Sequence, residues 1–409
     1  MRIYFWLIRL AALFGNRKAR LLIEGERRTL REERDALSEL RGAIWFHAAS
    51  VGEFEQARPI IEKLVEIRKT ASPKDYRQKV VLTFFSPSGY EMRKNYDKVD
   101  KVLYLPFATK KRVKTFLDAL QPSMAIFVKY EFWPAYLKEI ARRNIPLYSI
   151  SAIFRQDQLF FRPWGKSYLK LLKCFTHIFV QDEASKELLN THGINAVSVA
   201  GDTRFDRVCE IAKQAKSIPA VERFVGSVPN TPVIIAGSTW PPDEELFARY
   251  LEKRPNVKLV LVPHEIDEAH LHKIFQVFEG RYVRYSEATP ATIEQVRVLV
   301  VDAMGILSSI YRYGQVAYIG GGFGVGIHNT LEAAVYGMPV LFGPNYSHFR
   351  EAKGLIAAGG SKSVKDYESF EKAMDKALAQ YKEMGKKALE YVESERGATA
   401  KICKEIFGN

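Results

Sequence analysis

Glu53 is the first residue of this sequence placed to do chemistry. The run His47-Ala48-Ala49-Ser50-Val51-Gly52-Glu53 closes an apolar segment and opens a helical one. Small residues at such a junction let a substrate approach the amides of a helix N-terminus, a natural anion site, so Ser50 and Gly52 are candidate acceptor-binding positions. The helix dipole is expected to keep Glu53 ionised at neutral pH. An ionised carboxylate in a cleft can accept a hydroxyl proton as a general base. The plainer reading is a first-turn acid that only complements the dipole. His47, alone at a strand end, reads as structural. This first turn has no GxGxxG, which argues against a conventional dinucleotide enzyme.

A second candidate lies at Gly320-Gly321-Gly322-Phe323-Gly324-Val325-Gly326, followed by Ile327-His328-Asn329-Thr330-Leu331-Glu332. Five glycines in seven residues expose N–H groups and permit positive φ, which suits a phosphate or sugar nucleotide, with Glu332 as an acceptor for a ribose. A tight structural turn fits the same residues. Other segments with useful side chains also end strands: Lys129–Pro134, Gly201–Asp206, Gly237–Trp240, Pro263–Glu265, Asp302–Gly305 and Gly343–Asn345. Each alone suits capping or a surface ion pair. Their common placement at strand ends is what groups them. His270-Leu271-His272 does not fall on one helical face, so no metal is expected there.

The elements that must position these residues alternate. Apolar strands are expected at 43–46, 80–84, 102–105, 125–128, 147–150, 177–180 and 197–200, then at 233–236, 259–262, 298–301, 316–319 and 340–342. Between them the apolar spacing is helical, as in Ala57, Ile60, Ile61, Leu64 and Ile67. Strands alternating with helices predict parallel sheets covered on both faces. Prolines and glycines cluster at 217–232, so we expect a first Rossmann-like domain over 41–217, a linker at 218–232 and a second such domain over 233–409. Two doubly wound halves place a ligand cleft at the carboxyl ends of their strands. The tail from Tyr367 reads as helical.

Charge narrows the partners. The chain of 409 residues carries 61 basic and 47 acidic side chains, a net charge of +14. That excess favours anionic partners. Residues 1–20 hold five basic and no acidic residues around Ile3-Tyr4-Phe5-Trp6-Leu7-Ile8. The apolar run of 12 residues to Phe14, interrupted by Arg9, falls short of the ~20 needed to span a bilayer and suits a helix lying in an anionic interface. Arg155, Arg162, Lys166, Lys170 and Lys173 interleave with Phe160, Phe161, Trp164 and Tyr168 in a second basic and aromatic stretch. Without a nucleic-acid-binding signature, a membrane or lipid partner is expected and nucleic acid is not. The three cysteines fit no zinc or disulfide spacing and read as structural.

Taken in order from about residue 43 to 350, the motifs resemble those of the 3-deoxy-D-manno-octulosonic acid (Kdo) transferases, inverting glycosyltransferases of GT-B architecture. Counterparts include HAASVGE, SPSGY (Ser86–Tyr90), EFWP, GDTRFD, AGST, DAMG, HNTLEAA and FGPN. The resemblance implies transfer of Kdo from CMP-Kdo to a phosphorylated lipid A precursor, at the cytoplasmic face of an inner membrane and without a cofactor. It implies Glu53 as general base, Glu131 as a second acid, and Arg204 as the cation where the family has lysine. It places CMP at Pro263, His264, Met304, Gly305, Asn329, Thr330, Leu331 and Glu332. Arg155, Arg162 and Lys166 are expected to meet the acceptor's phosphates. The chain departs from the family's pattern at His264 (arginine expected), Ile306 (glutamate), Lys129 (glutamate) and Thr330 (proline). A transferase using a UDP-sugar and a non-catalytic nucleotide-sugar-binding protein are the alternatives.

Overall fold

Among the described residues fourteen short strands, most of them largely buried, build two parallel sheets. The computed structural model describes residues 2–32, 34–70, 78–324 and 326–408. The chain divides into two compact units, Met1–Arg207 with Arg396–Asn409, and Val208–Glu395.

In the first unit β1 (Ile44–Ala48), β2 (Val80–Phe84), β3 (Lys101–Tyr104), β4 (Met124–Val128), β5 (Leu147–Ala152), β6 (His177–Val180) and β7 (Val197–Val199) run in the order 3-2-1-4-5-6-7. All five residues of β1 are buried, as a strand covered by helices on both faces requires. The second unit repeats the plan. Its strands β8 (Val233–Thr239), β9 (Lys258–Pro263), β10 (Tyr282–Arg284), β11 (Val298–Val300), β12 (Val316–Ile319), β13 (Val340–Phe342) and β14 (Ser361–Ser363) are ordered 10-11-9-8-12-13-14. Each unit is thus a doubly wound Rossmann-type fold of the GT-B kind, as expected. Winding reverses between β1 and β4 in the first sheet and between β8 and β12 in the second. Ligands of such sheets bind beyond the carboxyl ends of the strands flanking that reversal.

The expected domain limits differ from the observed units. The first unit ends at Arg207 rather than at 217, and the expected linker contains a helix, Pro219–Gly226, of the second unit. The C-terminal helix Ala398–Phe407 belongs to the first unit, not to the second as the 233–409 limits put it. There Ile402 and Cys403 enter the core, the helix packs on Val51–Thr70, and Asp206 accepts the amides of Gly397 and Thr399, both at 2.7 Å.

At the N-terminus Arg2–Leu13 forms a helix of 12 residues that the core partly claims. Phe5 is buried and stacks on Phe107 at 4.3 Å, while Trp6, Leu7, Leu13 and Phe14 remain exposed. Among the described residues no helix is long and apolar enough to cross a membrane.

Candidate functional site

The first unit gathers its titratable groups at the winding reversal. The loop after β1 delivers Glu53 in the first turn of the Val51–Thr70 helix, and the loop after β4 delivers Lys129 and Glu131. Ser50 precedes the helix, and its hydroxyl lies 3.4 Å from both the Glu53 amide and Oε2. The Glu53 carboxylate folds back to accept the amides of Ala49 (2.7 Å) and Ser50 (3.1 Å). Those two amides, which precede the helix, are therefore taken by Glu53 itself. Gly52 is exposed, with nothing closer to an added Cβ than the Ser50 hydroxyl at 4.0 Å.

Burial weighs more than the helix start in the electrostatic balance at Glu53. Burial and then the negative Glu131 raise its pKa above the usual glutamate value, and they outweigh His47, the Ala49 amide and Lys129, which pull it down. A half-buried carboxylate with increased proton affinity is a better base than the fully dipole-stabilised anion that the sequence suggested.

Glu131 is buried and held from two sides. Its Oε2 lies 3.1 Å from His47 Nε2 and accepts the Trp133 indole N–H. His47 is fully buried, with Nδ1 2.9 Å from the Thr83 hydroxyl and 3.1 Å from the Thr83 carbonyl. His47 is structural in the sense expected, yet it fixes the position of a site carboxylate. Lys129 adopts φ +54°, a costly conformation for a side chain of this kind. Its charge acts on Glu53 and on Asp202 alike.

Arg204 is tied to this cluster through Asp202. The guanidinium donates to Asp202 Oδ2 from Nε at 2.9 Å and from Nη2 at 2.7 Å. Gln56, one turn beyond Glu53 on its helix, donates to Asp202 Oδ1 at 3.0 Å, and its carbonyl accepts the Thr203 hydroxyl at 2.6 Å. Burial alone would raise the Asp202 pKa, but Arg204, Gln56 and Lys129 together bring it down to about 2. Arg204 thus stands as half of an ion pair rather than as an isolated cation. Gln56 is a member of the site that the motifs do not include, while Lys129 and Asp202 lie in segments noted above without a role of their own. A charged residue ending β4 and a glutamine three residues after Glu53 were the available signals.

The expected acceptor residues separate. The Arg155 charge acts on the Tyr130 hydroxyl, which places Arg155 near the Glu131 segment. Arg162 lines a different cavity of 520 Å³ with Phe160, Phe161, Lys170 and Lys173. The side chain of Lys166 lies outside the described residues.

In the second unit the loops after β8, β9 and β12 meet. His264 stacks on Trp240 (4.9 Å) and on His328 (4.3 Å), forming an aromatic group where a fixed cation was expected. Burial and the neighbouring His264 lower the His328 pKa to about 4, so it is neutral at physiological pH. Beside Trp240, Gly321, Phe323 and Gly324 close an apolar slot of 170 Å³. Met304 is 70% exposed, Gly305 has φ +82°, and Glu332 accepts the Asn329 amide at 3.0 Å. Pro263, Thr330 and Leu331 are buried.

The amides of Gly320, Gly321, Gly324 and Gly326 are already bonded, to Gly237, Asp243 and, for the last two, Gly321. Glycine is needed here for close approach. A Cβ on Gly322 would lie 2.6 Å from the Gly343 backbone. Gly322→Ala should therefore cost about 1–3 kcal/mol, read as a lower urea midpoint at unchanged m-value.

Residues 19–207 match the family described as 3-Deoxy-D-manno-octulosonic-acid transferase (kdotransferase). The chain is 29% identical over 322 residues to the 3-deoxy-D-manno-octulosonic acid transferase of Aquifex aeolicus, covering 77% of this chain and 79% of that protein. To the enzyme of the same name from Haemophilus influenzae it is 26% identical over 381 residues, 88% and 85% of the two chains. Among solved structures, the UDP-GlcNAc 2-epimerase of Neisseria meningitidis bound to UDP-GlcNAc superposes with a TM-score of 0.62 at 16% identity, covering 90% of this chain and all of that one (100%). That likeness is one of fold.

Proposed function

We propose that this chain, a relative of the glycosyltransferases that transfer Kdo in lipopolysaccharide biosynthesis, takes Kdo from CMP-Kdo and attaches it with inversion to a phosphorylated lipid A precursor. The observation that carries this reading is Glu53, a half-buried carboxylate of raised proton affinity beyond the carboxyl end of β1.

In the proposed reaction Glu53 removes the proton from the acceptor's primary hydroxyl as its oxygen bonds to the anomeric carbon of Kdo. The bond from that carbon to the phosphate oxygen of CMP breaks, and its electron pair leaves with the phosphate. A phosphate is stable without protonation, so no acid catalyst is required. Positive charge at Lys129 and Arg204 favours the developing negative charge. Tyr130 and Arg155 border the acceptor side. The Trp240–His264–His328 stack offers a flat face to a nucleobase, and Glu332 an acceptor to a ribose hydroxyl. The exposed Trp6, Leu7, Leu13 and Phe14 would rest in the cytoplasmic leaflet of the inner membrane.

Incubation with CMP-Kdo and tetraacyl lipid A precursor should yield a product heavier by one Kdo unit or more. A mass spectrum showing no such product from active, folded chain would reject the reading. Calorimetric titration with CMP and UDP in parallel is expected to favour CMP. Preference for UDP would instead indicate a transferase of another donor.

A further inference from the structure

A cavity of 730 Å³ is lined by none of the site residues named above. It is walled by Arg9, Arg27, Arg31, Lys111 and Arg112, with Glu26 as the acid among them. Glu26 is buried and already engaged, paired with Arg112 at 2.5 Å and accepting the Phe107 amide at 3.2 Å. Among the described residues Arg27, Arg31 and Lys111 have no carboxylate partner. Ile23 and Leu30 complete the wall with apolar surface.

We propose that this cavity binds the phosphate of an anionic glycerophospholipid headgroup, a lipid site separate from the one where the acceptor reacts. Three features fit this ligand. The cations outnumber the acid, and arginine forks match phosphate oxygens. The volume exceeds that of a bare phosphate and falls in the range of small-molecule sites. Trp6, Arg9 and Leu13 succeed one another at helical spacing along one stripe, so insertion of the exposed apolar side chains sets Arg9 at headgroup level. The proposal rests on the reading of the N-terminal helix as interfacial, and the test separates the two.

The probe is dihexanoylphosphatidylglycerol below its micellar concentration, titrated calorimetrically into the full chain. Saturable binding is expected, weakened about thirty-fold in an Arg27→Ala, Arg31→Ala double variant, the effect of two cations at roughly 1 kcal/mol each. An Arg17→Ala, Lys18→Ala variant removes the same charge outside the cavity and should bind as the parent does. Equal loss in both doubles, or no loss in the first, overturns the site. Inorganic phosphate binding as tightly as the lipid would also overturn it, since the cavity would then serve a free anion. Sedimentation of the full chain with phosphatidylglycerol vesicles reads the interfacial helix independently. Failure there with intact probe binding would discard the anchor and leave the cavity as a soluble-headgroup site.

Discussion

Glu53→Gln should lower kcat by about two to four orders of magnitude while donor binding changes little, the magnitude of a lost general base. Glutamine keeps the shape and can still accept the Ala49 and Ser50 amides through its carbonyl oxygen, so the helix start survives. What it cannot do is take a proton. The pH profile carries the second half of the expectation. Burial and Glu131 raise the Glu53 pKa, so the base is lost to protonation at a higher pH than an ordinary glutamate would be. Activity should fall on the acid side as pH drops through that value. The residual rate of the variant should lack this limb. A variant with parental kcat, or one with the same acid limb, would remove Glu53 from the chemistry. Stopped assays across pH, with CMP affinity measured separately, supply both readouts.

Asp202→Ala should have the largest effect on stability, a loss of about 3–5 kcal/mol by urea unfolding, because it leaves Arg204 and the Gln56 amide facing a void. Asp202 is 1% exposed, which makes the pair with Arg204 a buried one on the carboxylate side. Its pKa of about 2 in the folded chain lies below the ordinary 3.8. A depressed carboxylate stabilises the fold fully above its unfolded pKa, and that share is lost as pH falls toward the folded one. For Asp202 this is a window between about pH 4 and pH 2, worth roughly 2.5 kcal/mol. The parent should therefore lose stability across that window more steeply than the variant. Combining Asp202→Asn with Arg204→Met removes both charges and should recover much of the loss, whereas a full 3–5 kcal/mol deficit in the double variant would show that the pair's geometry, not its charge, matters.

Most of the sheet architecture was readable because a strand covered on both faces has to be apolar along its whole length. Trp45 and Phe46 of β1 or Val80, Val81 and Leu82 of β2 admit few other readings. The two strands left out, Tyr282–Arg284 and Ser361–Ser363, are three residues long and sit at edges of the second sheet, where polar side chains are tolerated. For the site, side chains standing directly beyond a strand were legible, as Glu53 and Glu131 were. Groups whose role depends on residues far away in the chain were not. His47 acquires its function from Thr83 and Glu131, and Asp202 from Gln56, separations of 36, 84 and 146 residues. The close approach of the glycines was hidden for a related reason. Their sequence suits an anion, but what they meet is the backbone of Gly343 and Ser238, which only the assembled sheet reveals.

The placement of Ala398–Phe407 bears on biosynthesis. The first unit has all its described strands by Val199, yet Glu53's own helix lacks one of its packing partners until Ile402 and Cys403 are made. A nascent chain must therefore translate the whole of Val208–Glu395 before the earlier unit can finish its apolar interior. Through that interval its partly uncovered Val51–Thr70 face would be a natural client for a chaperone at the ribosome.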